Sequence, residues 1–126
     1  MIAVDTSVLR RYFGGEIDHC TPILAEALAY QEALLPAIVL TEALSDRWLT
    51  DDEIDATLEI PLLPVYDGYW YRAGNLRRDL LATDRKAPAV DCLIAQACID
   101  GDIPLLTYDG DFARFMELGL KLVIEP

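Results

Sequence analysis

Ile2-Ala3-Val4-Asp5-Thr6-Ser7-Val8-Leu9 is the stretch from which the fold is read. Ile2, Ala3 and Val4 are an unbroken apolar run, the pattern of a short strand buried on both faces. An acid follows, then Thr6 and Ser7, residue types that open helices. Val8, Leu9, Tyr12 and Phe13 recur at helical spacing until Gly14-Gly15 stops them. A buried strand that runs straight into a helix is the unit from which parallel sheets are built.

The same alternation continues outward from this stretch. Thr21-Pro22 opens a second helix with Leu24, Ala27 and Leu28 on one face. The apolar run around Pro36 holds a short strand and then the start of a helix expected to reach about Leu49. Asp51-Asp52-Glu53 is an acidic first turn of another helix. Ile60 to Val65 carries two prolines and reads as an edge strand. Tyr69, Ala73, Leu76 and Leu80 mark an amphipathic helix, and Pro88 opens another that runs to Ile99. Leu105 and Leu106 form a strand, Asp111 to Leu118 a helix ended by Gly119, and Leu120 to Ile124 a last strand. The reading is an α/β chain, a single domain over 1–126, with a parallel sheet of four to five strands flanked by helices in an α/β/α sandwich. In such sheets ligands bind beyond the carboxyl ends of the strands.

Composition narrows the class. Hydrophobic residues make up 53% of the 126, enough for a core and too many for a disordered chain. No apolar run approaches the roughly 20 residues of a membrane helix, so no membrane partner is expected. No basic region precedes the first strand, and no leader is expected. Cys20, Cys92 and Cys98 lack metal-site spacing and read as free, buried thiols in a reducing cytosol. A net charge of −12 argues against long-range attraction to nucleic acid and suits a basic protein partner. Eight of the ten bases are arginine, so a high-salt or high-GC host is an equally plain origin of the acidity.

Four acids carry the chemistry. Asp5 and Asp109 each follow a strand, Asp91 lies just inside the helix opened by Pro88, and Glu42 follows the run around Pro36. In a parallel sheet all four gather at one edge. Each also has a plain structural role open to it: Asp5 as a helix cap, Asp91 as a helix-start acid and Asp109 as an Asp-Gly turn. On a helical wheel Glu42 points away from Leu40, Leu44 and Trp48, toward solvent. The single histidine, His19, reads as a surface residue, and no nucleophile–histidine pair or phosphate-cradling glycine loop is present. Carboxylate oxygens alone suit Mg²⁺ or Mn²⁺, which generate a nucleophile from water and offset charge on a phosphate.

Val4-Asp5-Thr6-Ser7-Val8-Leu9, Thr41-Glu42, Val90-Asp91-Cys92-Leu93-Ile94-Ala95 and Leu105-Leu106-Thr107-Tyr108-Asp109-Gly110-Asp111-Phe112 together resemble the PIN-domain ribonucleases, most closely the VapC-type toxins of toxin–antitoxin pairs. The resemblance implies a PIN-like fold and cleavage of RNA by a metal-activated hydroxide, with Asp5, Glu42, Asp91 and Asp109 as catalytic acids. It implies Asp5, Asp91 and Asp109 as ligands of Mg²⁺ (or Mn²⁺), with Thr6 and Thr107 as the family's hydroxyls and Asp111 assisting through water. It also implies a cytoplasmic homodimer and a cognate antitoxin whose basic tail enters the acid pocket.

Rival readings remain at this point. A phosphatase of the haloacid dehalogenase kind also begins from an Asp after the first strand, but it wants a second acid where this chain has Ser7. A phospho-acceptor domain wants a lysine where this chain has Thr107. An RNA-processing PIN nuclease without an antitoxin, and a PIN-like module that only binds partners, fit the same motifs. Arg72, Arg77, Arg78, Arg85 and Lys86 read as a solvated helix face or as an RNA-backbone track. Of the run Tyr66, Tyr69, Trp70 and Tyr71, Tyr69 is assigned to the core and the others to a dimer contact or base stacking.

Overall fold

The computed structural model describes residues 1–125. Three parallel strands form the ladder: β1 (Ile2–Val4), β2 (Ala33–Leu34) and β3 (Leu105–Leu106), in the order β2-β1-β3. Ile2 pairs with Ala33, Ala3 with both Leu34 and Leu105, and Val4 with Leu106. Single parallel bridges, Leu35 to Leu62 and Leu105 to Leu122, extend the sheet at its two edges. The segments expected as strands around 60–65 and 120–124 therefore lie in the sheet's plane but pair at one point each. Pro61 and Pro64 lack the N–H that a longer ladder needs at the first of these edges.

Among the described residues six α-helices flank the sheet: α1 (Thr6–Phe13), α2 (Thr21–Ala29), α3 (Ala37–Leu44), α4 (Asp51–Leu58), α5 (Tyr69–Ala82) and α6 (Ala89–Gly101). β1 is central and dry, with Ala3 and Val4 fully buried, as an all-apolar strand between two neighbours must be. α5 lies along α6 with Tyr69, Ala73, Leu76 and Leu80 buried, the stripe read from the sequence. The Tyr69 hydroxyl donates to the Leu93 carbonyl at 2.6 Å, which satisfies its polar end inside the core. α6 buries Cys92 and every residue from Ile94 to Cys98, so it is wrapped nearly all round. All three cysteines are free and buried. Among the described residues no helix is long and apolar enough to cross a membrane.

Two elements differ from the sequence reading. α3 stops at Leu44 rather than near Leu49. The Ser45 hydroxyl donates back to the Thr41 carbonyl at 2.6 Å, and Asp46 accepts from the Trp48 amide at 2.9 Å. Such short side chains compete with the helix for its own backbone groups. The segment from Gly110 to Leu118 is a 3₁₀ helix, not an α-helix. Its three-residue turn stacks Phe112 and Phe115 one above the other, and both are fully buried with ring centroids 5.8 Å apart. Gly119, at φ 109°, ends it in a conformation that a side chain would oppose.

Candidate active site

The register places the carboxyl ends of β1 and β3 side by side, because Val4 pairs with Leu106 and the Asp5 amide donates to the Leu106 carbonyl at 3.1 Å. The next residue on each strand is therefore a neighbour across the sheet edge. Asp5, only 7% exposed, caps α1 with Oδ1, which accepts from the Thr6 amide at 2.9 Å. Its Oδ2 accepts from the Ser7 hydroxyl at 3.0 Å and the Thr107 hydroxyl at 2.8 Å. A carboxylate this buried needs such donors to offset its lost solvation.

Thr107 ties the second acid to the first. Its Oγ1 donates to Asp5 and accepts from the Asp109 amide at 3.0 Å. Asp109 in turn caps the 3₁₀ helix by accepting from the Asp111 amide at 2.9 Å. The capping roles open to Asp5 and Asp109 in the sequence are thus both real, and both coexist with placement at the sheet edge. Ser7 adds a second tie, accepting from the Tyr108 amide at 3.3 Å.

Glu42 joins the same network. Its Oε1 accepts from the Thr6 hydroxyl at 3.1 Å. A wheel whose buried stripe is Leu40, Leu44 and Trp48 turns Glu42 to solvent. In the structure Trp48 is 78% exposed and Leu44 39%, while Val39 and Ala43 face the core. Glu42 is half-buried beside that face and turned toward α1.

Asp91 enters from the first turn of α6 and stands outside this hydroxyl network. Its Oδ2 accepts from Arg114 Nη2 at 2.8 Å. Burial pushes the Asp91 carboxyl above its usual range; Arg114 opposes the rise, and the charges of Asp109, Asp5 and Asp111 add to it. Asp91 thus feels the charges of the acids at the strand ends, after burial and Arg114. Among the described residues, however, no three acidic, histidine or cysteine side chains stand close enough to close round one ion. Asp91 is paired with a base instead of facing Asp5 and Asp109 directly.

Arg114 was not singled out from the sequence. The signal available was a lone arginine between two core aromatics in Phe112-Ala113-Arg114-Phe115. A second unforeseen cluster braces Tyr108, whose hydroxyl donates to Asp18. Asp18 also accepts from the Cys20 and Thr21 amides, and Arg11 reaches it at 3.1 Å while lying 4.6 Å from the centre of the Tyr108 ring. These bonds, the Tyr108 hydroxyl first, hold the Asp18 carboxyl far below its usual range. His19 is exposed and meets Tyr108 edge-on, outside the acid cluster. Arg85 pairs with Glu117 at 3.1 Å on the surface.

In donor chemistry, though not in closeness, these acids suit a hard divalent cation: their ligating atoms are all oxygen, with no thiolate or imidazole among them.

Comparison with known proteins agrees with this architecture. No curated protein matches the chain in sequence. The chain is similar in structure to a member of the VapBC family of toxin–antitoxin systems, VapBC-5, from Mycobacterium tuberculosis. That match has a TM-score of 0.65 at 23% identity and covers 97% of this chain and 98% of the other. It is also similar to VapBC2 from Rickettsia felis bound to a DNA fragment from their promoter, with a TM-score of 0.70 at 20% identity and 97% of each chain covered. At these identities the likeness establishes a shared fold. The sequence model of the PIN domain matches residues 2–118, nearly the whole chain. On that match, and on the parallel sheet whose edge carries the acids, the chain belongs to the PIN domain family.

Proposed function

We propose that this chain is an endoribonuclease dependent on Mg²⁺ or Mn²⁺ and the toxin half of a toxin–antitoxin pair. The observation that carries the proposal is the bonded chain Glu42–Thr6–Asp5–Thr107–Asp109 at the carboxyl edge of the sheet, with Asp91 electrostatically coupled to it. Asp5, Asp91 and Asp109 would hold the ion. When bound, the ion supplies an acidified water and offsets the charge that builds on the phosphate. The remaining steps belong to the chain. Thr107 and Ser7 keep Asp5 oriented by donating to its Oδ2. Glu42, held through Oε1 by Thr6, keeps Oε2 to orient the attacking water and accept its proton. Attack on phosphorus then breaks the bond to the 3′-oxygen, which takes up a proton from solvent, leaving a 5′-phosphate and a 3′-hydroxyl.

The toxin assignment rests on the VapBC relatives, which are toxin–antitoxin proteins of the same fold. The net charge of −12 suits an antitoxin with a basic tail. Trp70 and Tyr71, exposed on α5 beside Val65 and Tyr66, offer an apolar surface for a homodimer or for the antitoxin. The cytoplasm, where RNA and free thiols coexist, is the proposed compartment.

The test is cleavage of single-stranded RNA by the purified chain. Cleavage should appear with Mg²⁺ or Mn²⁺, stop on chelation by EDTA, and return when metal is restored. Undiminished cleavage in EDTA would remove the metal mechanism. No cleavage of any RNA, with or without metal, would favour a PIN module that only binds partners.

A further inference from the structure

The positive charge that faces Asp91 comes from within the chain. Arg114 Nη2 donates to Asp91 Oδ2 at 2.8 Å, and the two side chains are 14% and 20% exposed, so solvent screens the pair poorly. The arginine is anchored from both sides. Phe112 and Phe115 are fully buried, and the guanidinium carbon lies 5.2 Å from the centre of the Phe115 ring.

The pair is also incomplete. An arginine held at full strength by a carboxylate donates two parallel N–H bonds. Arg72 does this with Asp100, through Nε at 3.0 Å and Nη2 at 2.6 Å. Among the described residues Arg114 donates to Asp91 through Nη2 alone, and its Nε is buried with no partner. A buried donor without an acceptor is costly. The contact thus holds Asp91 with less than the strength that the same side chain has elsewhere in this molecule.

Position completes the case. Oδ2 of Asp91 is taken by Arg114, and among the described residues no three acids stand close enough to share an ion. The cation that Asp91 faces at this edge is therefore one of the chain's own.

We infer that Arg114 is a built-in counter-cation that holds Asp91 in the metal-free protein, and that a divalent ion binds by displacing it. The inference rests on the metal-dependent reading above and adds a cost to it: metal affinity is set by competition with a fixed positive charge. Arg114 acts through Asp91 and is a positioning residue. The chain keeps its acids together without metal, and binding the ion requires that one loosely held bond be broken.

The test is calorimetric titration of Mn²⁺ into the wild-type chain, Arg114→Gln and Arg114→Lys, without RNA. Removing a unit charge beside a divalent ion should tighten binding by about tenfold in Arg114→Gln. Arg114→Lys keeps the charge and should bind as the wild type does. Equal or weaker binding by Arg114→Gln overturns the inference while leaving the nuclease reading in place. The same tightening in both variants also overturns it, because the cause would then be packing rather than charge. Absence of Mn²⁺ binding by all three proteins overturns the nuclease reading together with the inference. If metal-free Arg114→Gln does not fold, it is refolded in Mn²⁺; failure to fold even in excess Mn²⁺, judged by circular dichroism, overturns the inference, since the ion should replace the lost charge.

Discussion

Asp91→Asn should lower Mg²⁺-dependent RNA cleavage by about 10³-fold and leave the fold intact. Asn keeps the shape of the side chain and an oxygen to accept from Arg114, but it removes the charge by which Asp91 would hold a divalent ion. The stability side of this expectation follows from the direction of the Asp91 shift. Burial, with help from Asp109, Asp5 and Asp111, raises the carboxyl above its ordinary value despite Arg114. The folded chain then holds that proton to higher pH than the unfolded chain does. The metal-free protein is most favoured below the unfolded value, and that advantage is lost as pH rises through the folded one. The folded chain thus favours the neutral side chain over the charged one more than the unfolded chain does, and a neutral Asn should cost no more than about 1 kcal/mol. Urea unfolding without metal and cleavage assays with Mg²⁺ check the two halves. Retained cleavage, or collapse of the fold, would show that Asp91 is structural.

Phe115→Ala should destabilise the chain by about 3–5 kcal/mol, the cost of truncating a fully buried aromatic. Against a total of roughly 5–15 kcal/mol for a domain, that is a large fraction. Phe115 stacks on Phe112, fills the core beneath the 3₁₀ helix and lies under the Arg114 guanidinium. The urea midpoint should fall with the slope unchanged, because the surface exposed on unfolding barely differs. A loss under 1 kcal/mol would mean that the helix is held by its caps, Asp109 and Gly119, rather than by its aromatics.

The parts of the fold written in the sequence are those with strong local periodicity. The run Ile2 to Val4 and the stripe Tyr69, Ala73, Leu76 and Leu80 form the expected strand and helix. Edges were less legible. Pro61 and Pro64 mark an edge strand correctly, yet the same prolines reduce it to a single bridge at Leu62. Glu42 was misplaced because three large apolar residues, Leu40, Leu44 and Trp48, outweighed the small Val39 and Ala43 that are the buried ones. Trp48 lies beyond the end of α3, so it never belonged to that wheel. The acids at the ends of β1 and β3 were legible because a parallel sheet brings strand ends together whatever the loops do. Arg114 was not, because its partner is 23 residues away and only the packing of the 3₁₀ helix on α6 joins them. Nor was the double use of Asp5 and Asp109, each of which caps its own helix while standing at the site.

If Asp5, Asp91 and Asp109 share one divalent ion, a crystal soaked in Mn²⁺ and measured at a wavelength where manganese scatters anomalously will show it. A strong peak bounded by carboxylate oxygens of these three residues is expected, with the Arg114 guanidinium withdrawn from Asp91. A map with no such peak, and Asp91 still bonded to Arg114 in excess Mn²⁺, would contradict it.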